Sequence, residues 1–385
     1  MNVIAKPPVL APVAGDAGRW ECFIPTPCVQ NHAAFLHVLP GGDLGCVWFG
    51  GTQEGVPDIS VHFSRLAPGA DRWSDPVRLS DDPTRSEQNP LLFTAPDGAL
   101  WLLWTAQVSG HQDTAIVRRR ISHDGGATWG PIGTLLDRPG LFIRQPIIVT
   151  PKGEWLLPAW LCPTPPAGAW RGDDDTALVM VSRDEGKTWT AHDVPGSTGC
   201  VHMDILPLQD GTMLAVYRSR WADFVYASRS TDGINWSAPE PTELPNNNSS
   251  VQATVLANGH VAIAYNHSSA ADATGRRLSL YDDIGGELPA EAPAGARSAF
   301  WGAPRAPMTI AISEDGGRTW PHRRDVEVGD GYCLTNNSKD QLNREFSYPS
   351  ILQTPDGALH LAFTYWRQAI KYVRVSEAWV KGTSA

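Results

Sequence analysis

Along this chain, short apolar runs alternate with polar positions and are cut at regular intervals by a glycine. Six times, two runs rich in β-branched and aromatic residues flank such a turn. They read NHAAFLHVLPGGDLGCVWF from Asn31, NPLLFTAPDGALWLLW from Asn89 and QPIIVTPKGEWLLPAW from Gln145. The pattern returns as HMDILPLQDGTMLAVY from His202, VQATVLANGHVAIAY from Val251 and YPSILQTPDGALHLAF from Tyr348. Each reads as a hairpin of two strands whose turn needs Gly, Asp or Asn at positive φ. The turn glycines are Gly42, Gly98, Gly153, Gly211, Gly259 and Gly357, with spacings of 56, 55, 58, 48 and 98 residues. No long stretch carries apolar residues at the three-and-four spacing of an amphipathic helix.

A second repeat follows the hairpins. S-x-D-x-G-x-T-W appears as SHDGGATW (Ser122 to Trp129), SRDEGKTW (Ser182 to Trp189) and SEDGGRTW (Ser313 to Trp320). A shortened copy, STDGINW, ends at Trp236, and a degenerate one, APGADRW, ends at Trp73. This is the Asp box, a turn in which the Asp side chain bonds backbone amides and Gly takes the left-handed conformation. Hairpin, polar-alternating strand and box together give four strands per unit. The expected fold is therefore all-β: a six-bladed β-propeller with four-stranded antiparallel blades and Asp-box turns. Seven blades are less favoured, because no second Gly-turn hairpin is visible in the 98-residue gap. The chain reads as one domain, residues 1–385. A loop insertion, residues 266–307, falls within blade five, and the strand Trp20–Ile24 is expected to close the ring against Ile370–Val375.

Composition agrees with many short strands: of 385 residues, 36 are Gly, 32 Pro and 16 Trp, and only 19% are charged. The net charge of −10 is spread along the chain with no basic block, so nucleic acid is not an expected partner. The six cysteines lack metal-ligand spacing and read as reduced, partly buried thiols. No cofactor is expected, although a structural calcium held on channel carbonyls would leave no motif. The opening MNVIAKPPVLAPVAG lacks the apolar core of a signal peptide, and no apolar run is long enough to span a membrane. The chain as given is expected in the cytoplasm, or in the periplasm or outside the cell if a leader has been removed.

Four segments carry a more specific signal: VWFGGTQEGVPDISV, EQNPLLF, LPNNNSSVQATVL with the AYNHS that follows, and REFSYPSILQTPDGALHLAFTYWRQAIKYV. With the Asp boxes, they make the chain resemble the BNR/Asp-box sialidase-like family over essentially its whole length. That resemblance implies a pocket for cleaving a glycosidic bond at the mouth of the central channel. It also implies three arginines on a substrate carboxylate, a Tyr–Glu pair as nucleophile and an Asp as acid/base. The chain departs from this design at two places. CVQNHAAFL, with His32, stands where an Arg-Ile-Pro motif is expected, and in REFSYPS Phe346 holds the expected tyrosine slot, with Tyr348 two residues on.

Residues just ahead of the hairpins should converge on the channel, which places His32, Asn89, Arg144, His202 and Tyr348 among the candidates. Arg144, Arg218, Arg305 and Arg344 are available to bind a carboxylate bidentately, and the family pattern has Arg at the second and third of these places. Glu54 and Asp58 lie in the loop where the family places its acid/base. An imidazole near its normal pKa could exchange protons around neutrality, so His32 is the leading acid/base candidate, with His202, His111 and His267 as secondary ones. The leading expectation is an exo-acting, sialidase-like enzyme on an acidic oligosaccharide or glycoside. The alternatives are a histidine-dependent lyase of the rhamnosyl-glucuronate type, using His32 and Tyr348, and a glycan-binding propeller without catalysis.

Overall fold

The computed structural model describes residues 6–383 apart from 282, 286, 287, 291, 293 and 294. Six antiparallel sheets follow one another along the chain, each a blade. Blade one is Gln30–Val38, Leu44–Gly51, Ser60–Leu66 and Val77–Arg78; blade two is Arg85–Thr94, Leu100–Val108, His111–Ser122 and Gly133–Leu136. Blade three has a broken inner strand, Leu141–Ile143 and Ile148–Val149, then Trp155–Leu161, Thr176–Ser182 and Thr190–Asp193. Blade four is Cys200–Pro207, Met213–Ser219, Phe224–Ser230 and Glu240–Pro245; blade five is Gln252–Val255, Val261–Asn266, Met308–Ser313 and His322–Glu327. Blade six combines Phe346–Gln353, Ala358–Tyr365 and Ala369–Ser376 with Trp20–Ile24 from the start of the chain. Trp20 lies opposite Arg374 and Ile24 opposite Ile370, so this N-terminal strand closes the ring.

The two sequence repeats make the two kinds of turn. All six hairpin glycines have φ between 81° and 94°. In each hairpin the residue three before the glycine donates its N–H to the residue after it, as in Leu39 to Asp43 (2.8 Å) and Thr354 to Ala358 (3.0 Å). The Asp boxes join third to fourth strands. Asp184 accepts from the Thr188 amide at 2.8 Å and from its hydroxyl at 2.6 Å, while Ser182 Oγ accepts from the Gly186 amide. These bonds hold the Asp184 carboxyl at a pKa of about 2. Box tryptophans fill the seams between blades: Trp129 of blade two meets Phe63 of blade one edge-on at 6.0 Å, and Trp320 is fully buried.

Side chains also tie the inner strands across the channel. Gln145 donates to the Val251 carbonyl, Gln252 donates to Gln145 and accepts from the Ile351 amide, and Ser350 Oγ accepts from the Leu36 amide. Asp204 Oδ2 accepts from the Ala253 amide at 2.8 Å. Buried polar groups that are satisfied this way fix how the blades sit relative to one another. All six cysteines are free.

In blade five, 41 residues separate Asn266 from Met308, and this segment crosses the channel mouth. Tyr281 reaches blade two, where the amides of Gln88, Gln107 and Gln112 lie 3.0–3.5 Å from its hydroxyl. Gly168 of blade three forms a bridge with Pro289, and Asn336, ahead of blade six, bonds the Leu280 carbonyl.

Candidate active site

The inner strands of blades one, two, four and six share a defect at the same height. In each, two residues face one on the neighbouring strand: Ala33 and Ala34 opposite Trp48, Asn89 and Pro90 opposite Trp104, His202 and Met203 opposite Tyr217, Tyr348 and Pro349 opposite Phe363. The first residue of each pair is left-handed, with φ of 61°, 50°, 54° and 51° for Ala33, Asn89, His202 and Tyr348. A bulge turns the strand locally and re-aims its side chain, and such strained non-glycine residues gather at functional sites. The opposing aromatics are fully buried and hold the kink in place.

Two of these bulges deliver Tyr348 and His202 to one place, where the rings meet at 5.6 Å. His32, one residue before its bulge, packs its ring on Tyr348 at 4.3 Å. Arg218, at the end of the second strand of blade four, donates from Nη1 to the Tyr348 hydroxyl at 2.6 Å and from Nε to Asn248 Oδ1 at 2.8 Å. The same Nη1 lies 3.2 Å from His202 Nε2, whose Nδ1 lies 3.0 Å from Ser250 Oγ. Arg144, Arg218 and Arg305 all lie 5.6–5.7 Å from the centre of the Tyr348 ring. Trp301, from the crossing segment, covers Arg218 at 5.6 Å.

Charge is unevenly balanced here. Arg367 donates to Glu345 at 2.6 Å and pairs with Glu54, and Arg305 lies 3.3 Å from Glu345. Burial pushes the Glu345 carboxyl up, but Arg367 and Arg305 outweigh it and hold it below its ordinary value. Arg218 has no carboxylate partner among the described residues, and its buried Nη2 makes no hydrogen bond. Burial accordingly lowers its pKa to about 9. A guanidinium enclosed without a carboxylate has charge and a donor to offer an anion.

The remaining candidates divide clearly. His32 is at the site but not in the expected state. Burial, then Arg367, Arg305, Arg144 and Arg218, hold its pKa well below 6.5, so the imidazole is neutral around pH 7. Its Nδ1 lies 2.8 Å from Thr364 Oγ1, and its buried Nε2 is unpartnered. Arg144 is at the site in a supporting role, donating to the Ala33 and Ala34 carbonyls at 3.2 and 2.7 Å beneath Tyr348. Glu54 is buried against Arg367. Asn89 occupies the blade-two bulge and is 6% exposed.

Asp58 and Arg344 stand apart. Asp58 is exposed and accepts from the Thr52 amide, because its loop folds back on the strand it leaves. Arg344 is spent on exposed Asp330 at 2.7 Å and rests on Tyr332. His111 is exposed, and His267 bonds Tyr265 at 2.6 Å. Phe346, in the expected tyrosine slot, packs in the core between blades five and six, so Tyr348 is the tyrosine of this site. Sequence reasoning missed Arg367 and Glu345. Both lie inside the quoted REFSYPS…TYWRQ segment, but nothing in it signals that they pair with each other in the interior. Among the described residues no cluster of His, Cys, Asp or Glu is arranged to hold a metal ion.

The BNR repeat-like domain family matches residues 42–361. No curated protein sequence matches the chain. Among solved structures, a Hadza microbial sialidase superposes with a TM-score of 0.66 at 13% identity, covering 92% of this chain and 67% of its own. A protein of unknown function from Dyadobacter fermentans gives 0.66 at 14% identity, covering 94% and 99%. The NanB sialidase of Streptococcus pneumoniae gives 0.65 at 10% identity, covering 97% and 71%. At these identities the likeness is one of fold. The chain is a six-bladed propeller of sialidase-like fold and belongs to the BNR repeat-like domain family.

Proposed function

We propose that the protein is an exo-acting glycosidase that cleaves the terminal glycosidic bond of an acidic glycan. The carboxylate of the terminal sugar sits on Arg218, flanked by Arg305 and Arg367, and Tyr348 faces the anomeric carbon. The observation that carries this reading is the uncompensated Arg218 guanidinium 2.6 Å from the Tyr348 hydroxyl. A carboxylate there supplies the missing counter-charge and a partner for Nη2, and Arg binds carboxylates bidentately. As the phenolic oxygen bonds the anomeric carbon, the glycosidic C–O bond breaks and the phenol proton passes to the neutral His32 imidazole packed on Tyr348. The leaving oxygen takes a proton from water, and the Arg218 hydrogen bond stabilises the phenolate character of the nucleophile. Arg305 and Arg367 are fixed by Glu345 and Glu54, so the clamp is preorganised before substrate arrives.

A second reading rests on His32. Its neutral imidazole, with an unpartnered Nε2 against Tyr348, suits a base that removes the proton next to a uronate carboxylate and so eliminates the sugar at C4. One assay separates the two. The protein is incubated with sialosides and with rhamnosyl-glucuronate oligosaccharides, and released sugar and ultraviolet absorbance are followed together. Released sugar without a new absorbance supports hydrolysis; a conjugated, absorbing product supports elimination. Neither signal, with glycan binding retained, replaces both readings with a binding propeller.

A further inference from the structure

Blades one, four and six carry an arginine at the same register position, opposite the third residue after the hairpin glycine. Arg65 faces Gly45, Arg229 faces Leu214 and Arg374 faces His360. The first two act alike. Arg65 donates to the Gly125 carbonyl in the Asp box of blade two at 2.7 Å, and Arg229 donates to the Gly316 carbonyl in the box of blade five at 2.8 Å. Each thus ties its own blade to the box of the next. Arg374 of blade six should meet the box of blade one in the same way. It makes no hydrogen bond or ion pair among the described residues and lies instead on the Trp20 ring, at 5.1 Å.

The cause is the degenerate box. APGADRW keeps its tryptophan, and Trp73 meets Tyr372 of blade six edge-on at 5.2 Å. Ala67 and Gly69 stand where STDGINW has Ser230 and Asp232, whose oxygens accept from the Gly233 and Asn235 amides at 2.8 Å. Without those bonds the blade-one turn leaves open a cavity of about 480 Å³ at the hairpin ends of blades six and one. That volume falls in the range of small-molecule sites. Leu10, Val38, Leu44 and Leu66 give it an apolar wall, and Trp20 and Arg374 form another side. His360 has no free nitrogen to offer, since one lies 2.8 Å from Thr354 Oγ1 and the other 2.7 Å from the Tyr372 hydroxyl. Two exposed carboxylates, Asp71 and Asp356, stand at the rim, and against one guanidinium they disfavour an anion. The acceptor that the repeat supplies at the other two arginines is likewise neutral, a peptide carbonyl.

We propose that this cavity binds a small neutral molecule with an apolar body and a carbonyl oxygen. The body lies against the leucine wall, and the oxygen accepts from Arg374 in place of a box carbonyl, so the ligand bridges the first and last blades. None of these residues enters the glycosidase reading, and the site stands or falls apart from it. Prodan, a neutral naphthyl ketone that brightens and shifts to the blue in apolar surroundings, is titrated into the wild type and into Arg374→Met, Ala70→Trp and Arg65→Met. Ala70 is exposed on the cavity wall and Arg374 makes no hydrogen bond, so R374M and A70W should melt close to the wild type. R65M, which loses its bond to Gly125, should melt lower. Wild type and R65M should bind the dye saturably and equally, R374M about tenfold more weakly, and A70W not measurably. 2-Naphthamide should displace the dye and 2-naphthoate should not. No saturable binding by the wild type, or binding by A70W or R374M equal to it, overturns the site. So does a loss in R65M as large as that in R374M, and displacement by naphthoate rather than the amide overturns the ligand class.

Discussion

Tyr348 and Arg218, 130 residues apart in the chain, are joined by a hydrogen bond of 2.6 Å from guanidinium to phenol. Blade six contributes the acceptor and blade four the donor, so the bond crosses the channel. It couples the group placed to react with the group placed to bind charge. Tyr348→Phe should keep the fold and lower kcat/KM on an acidic glycoside by at least ~10²-fold. Steady-state kinetics beside a thermal melt will check this, and an active Y348F removes Tyr348 from the chemistry.

Arg218→Lys keeps the charge but loses the planar fork. It should cost about 10²–10³-fold in kcat/KM. It should also reduce the rise in melting temperature that an acidic monosaccharide gives the wild type, because ligand stabilisation follows affinity. Differential scanning fluorimetry with and without the sugar measures the second effect directly.

Glu54 separates two roles that sequence could not. As a free acid it would be replaceable at little structural cost. As the partner of buried Arg367 it would not be, since breaking a buried pair costs about 3–5 kcal/mol. Glu54→Ala should therefore lower the unfolding midpoint as well as activity. Loss of activity with an unchanged melt would return Glu54 to an acid/base role.

Asp204 gives the stability a pH dependence. Burial raises its carboxyl pKa to about 7, above that of an unfolded aspartate at about 3.9. The folded state thus holds a proton that the unfolded state has released. The stability this provides is full below about pH 4 and is lost as pH rises through about 7. Asp204→Asn keeps an acceptor for the Ala253 amide but cannot ionise. Its melting temperature should gain on the wild type between pH 4.5 and 7.5, and a constant difference across that range would contradict the assignment.

The Asp boxes should behave oppositely. Asp315→Ala removes acceptors for the Thr319 amide and hydroxyl, at 2.9 and 2.7 Å, in an outer turn. It should lower the melting temperature by about 2 °C and leave kcat/KM unchanged.

The architecture was legible because it is local and repeated. Gly98 and Gly357 mark hairpins in their own sequence, and Ser182 to Trp189 announces its turn without reference to any other residue. The site was legible only where a strand starts. His32, His202 and Tyr348 could be placed at the channel by counting along a hairpin, and Arg218 and Arg305 by the family pattern. Arg367 could not, because what brings it in is charge pairing with Glu54, 313 positions away, and with Glu345. The protonation state of His32 was hidden for the same reason: the four arginines that depress it come from blades three, four, five and six.

The bulges that present Ala33, Asn89, His202 and Tyr348 make these positions interchangeable sockets around one axis. The backbone does the aiming, so a new side chain at such a position inherits its direction without any redesign of the strand. Two sockets hold rings, one an amide, and Ala33 only a methyl group. That last socket is closed: the Ala33 methyl group is fully buried against Phe49, Ile59 and Tyr348, so a larger side chain aimed from it would have to displace the tyrosine of the site.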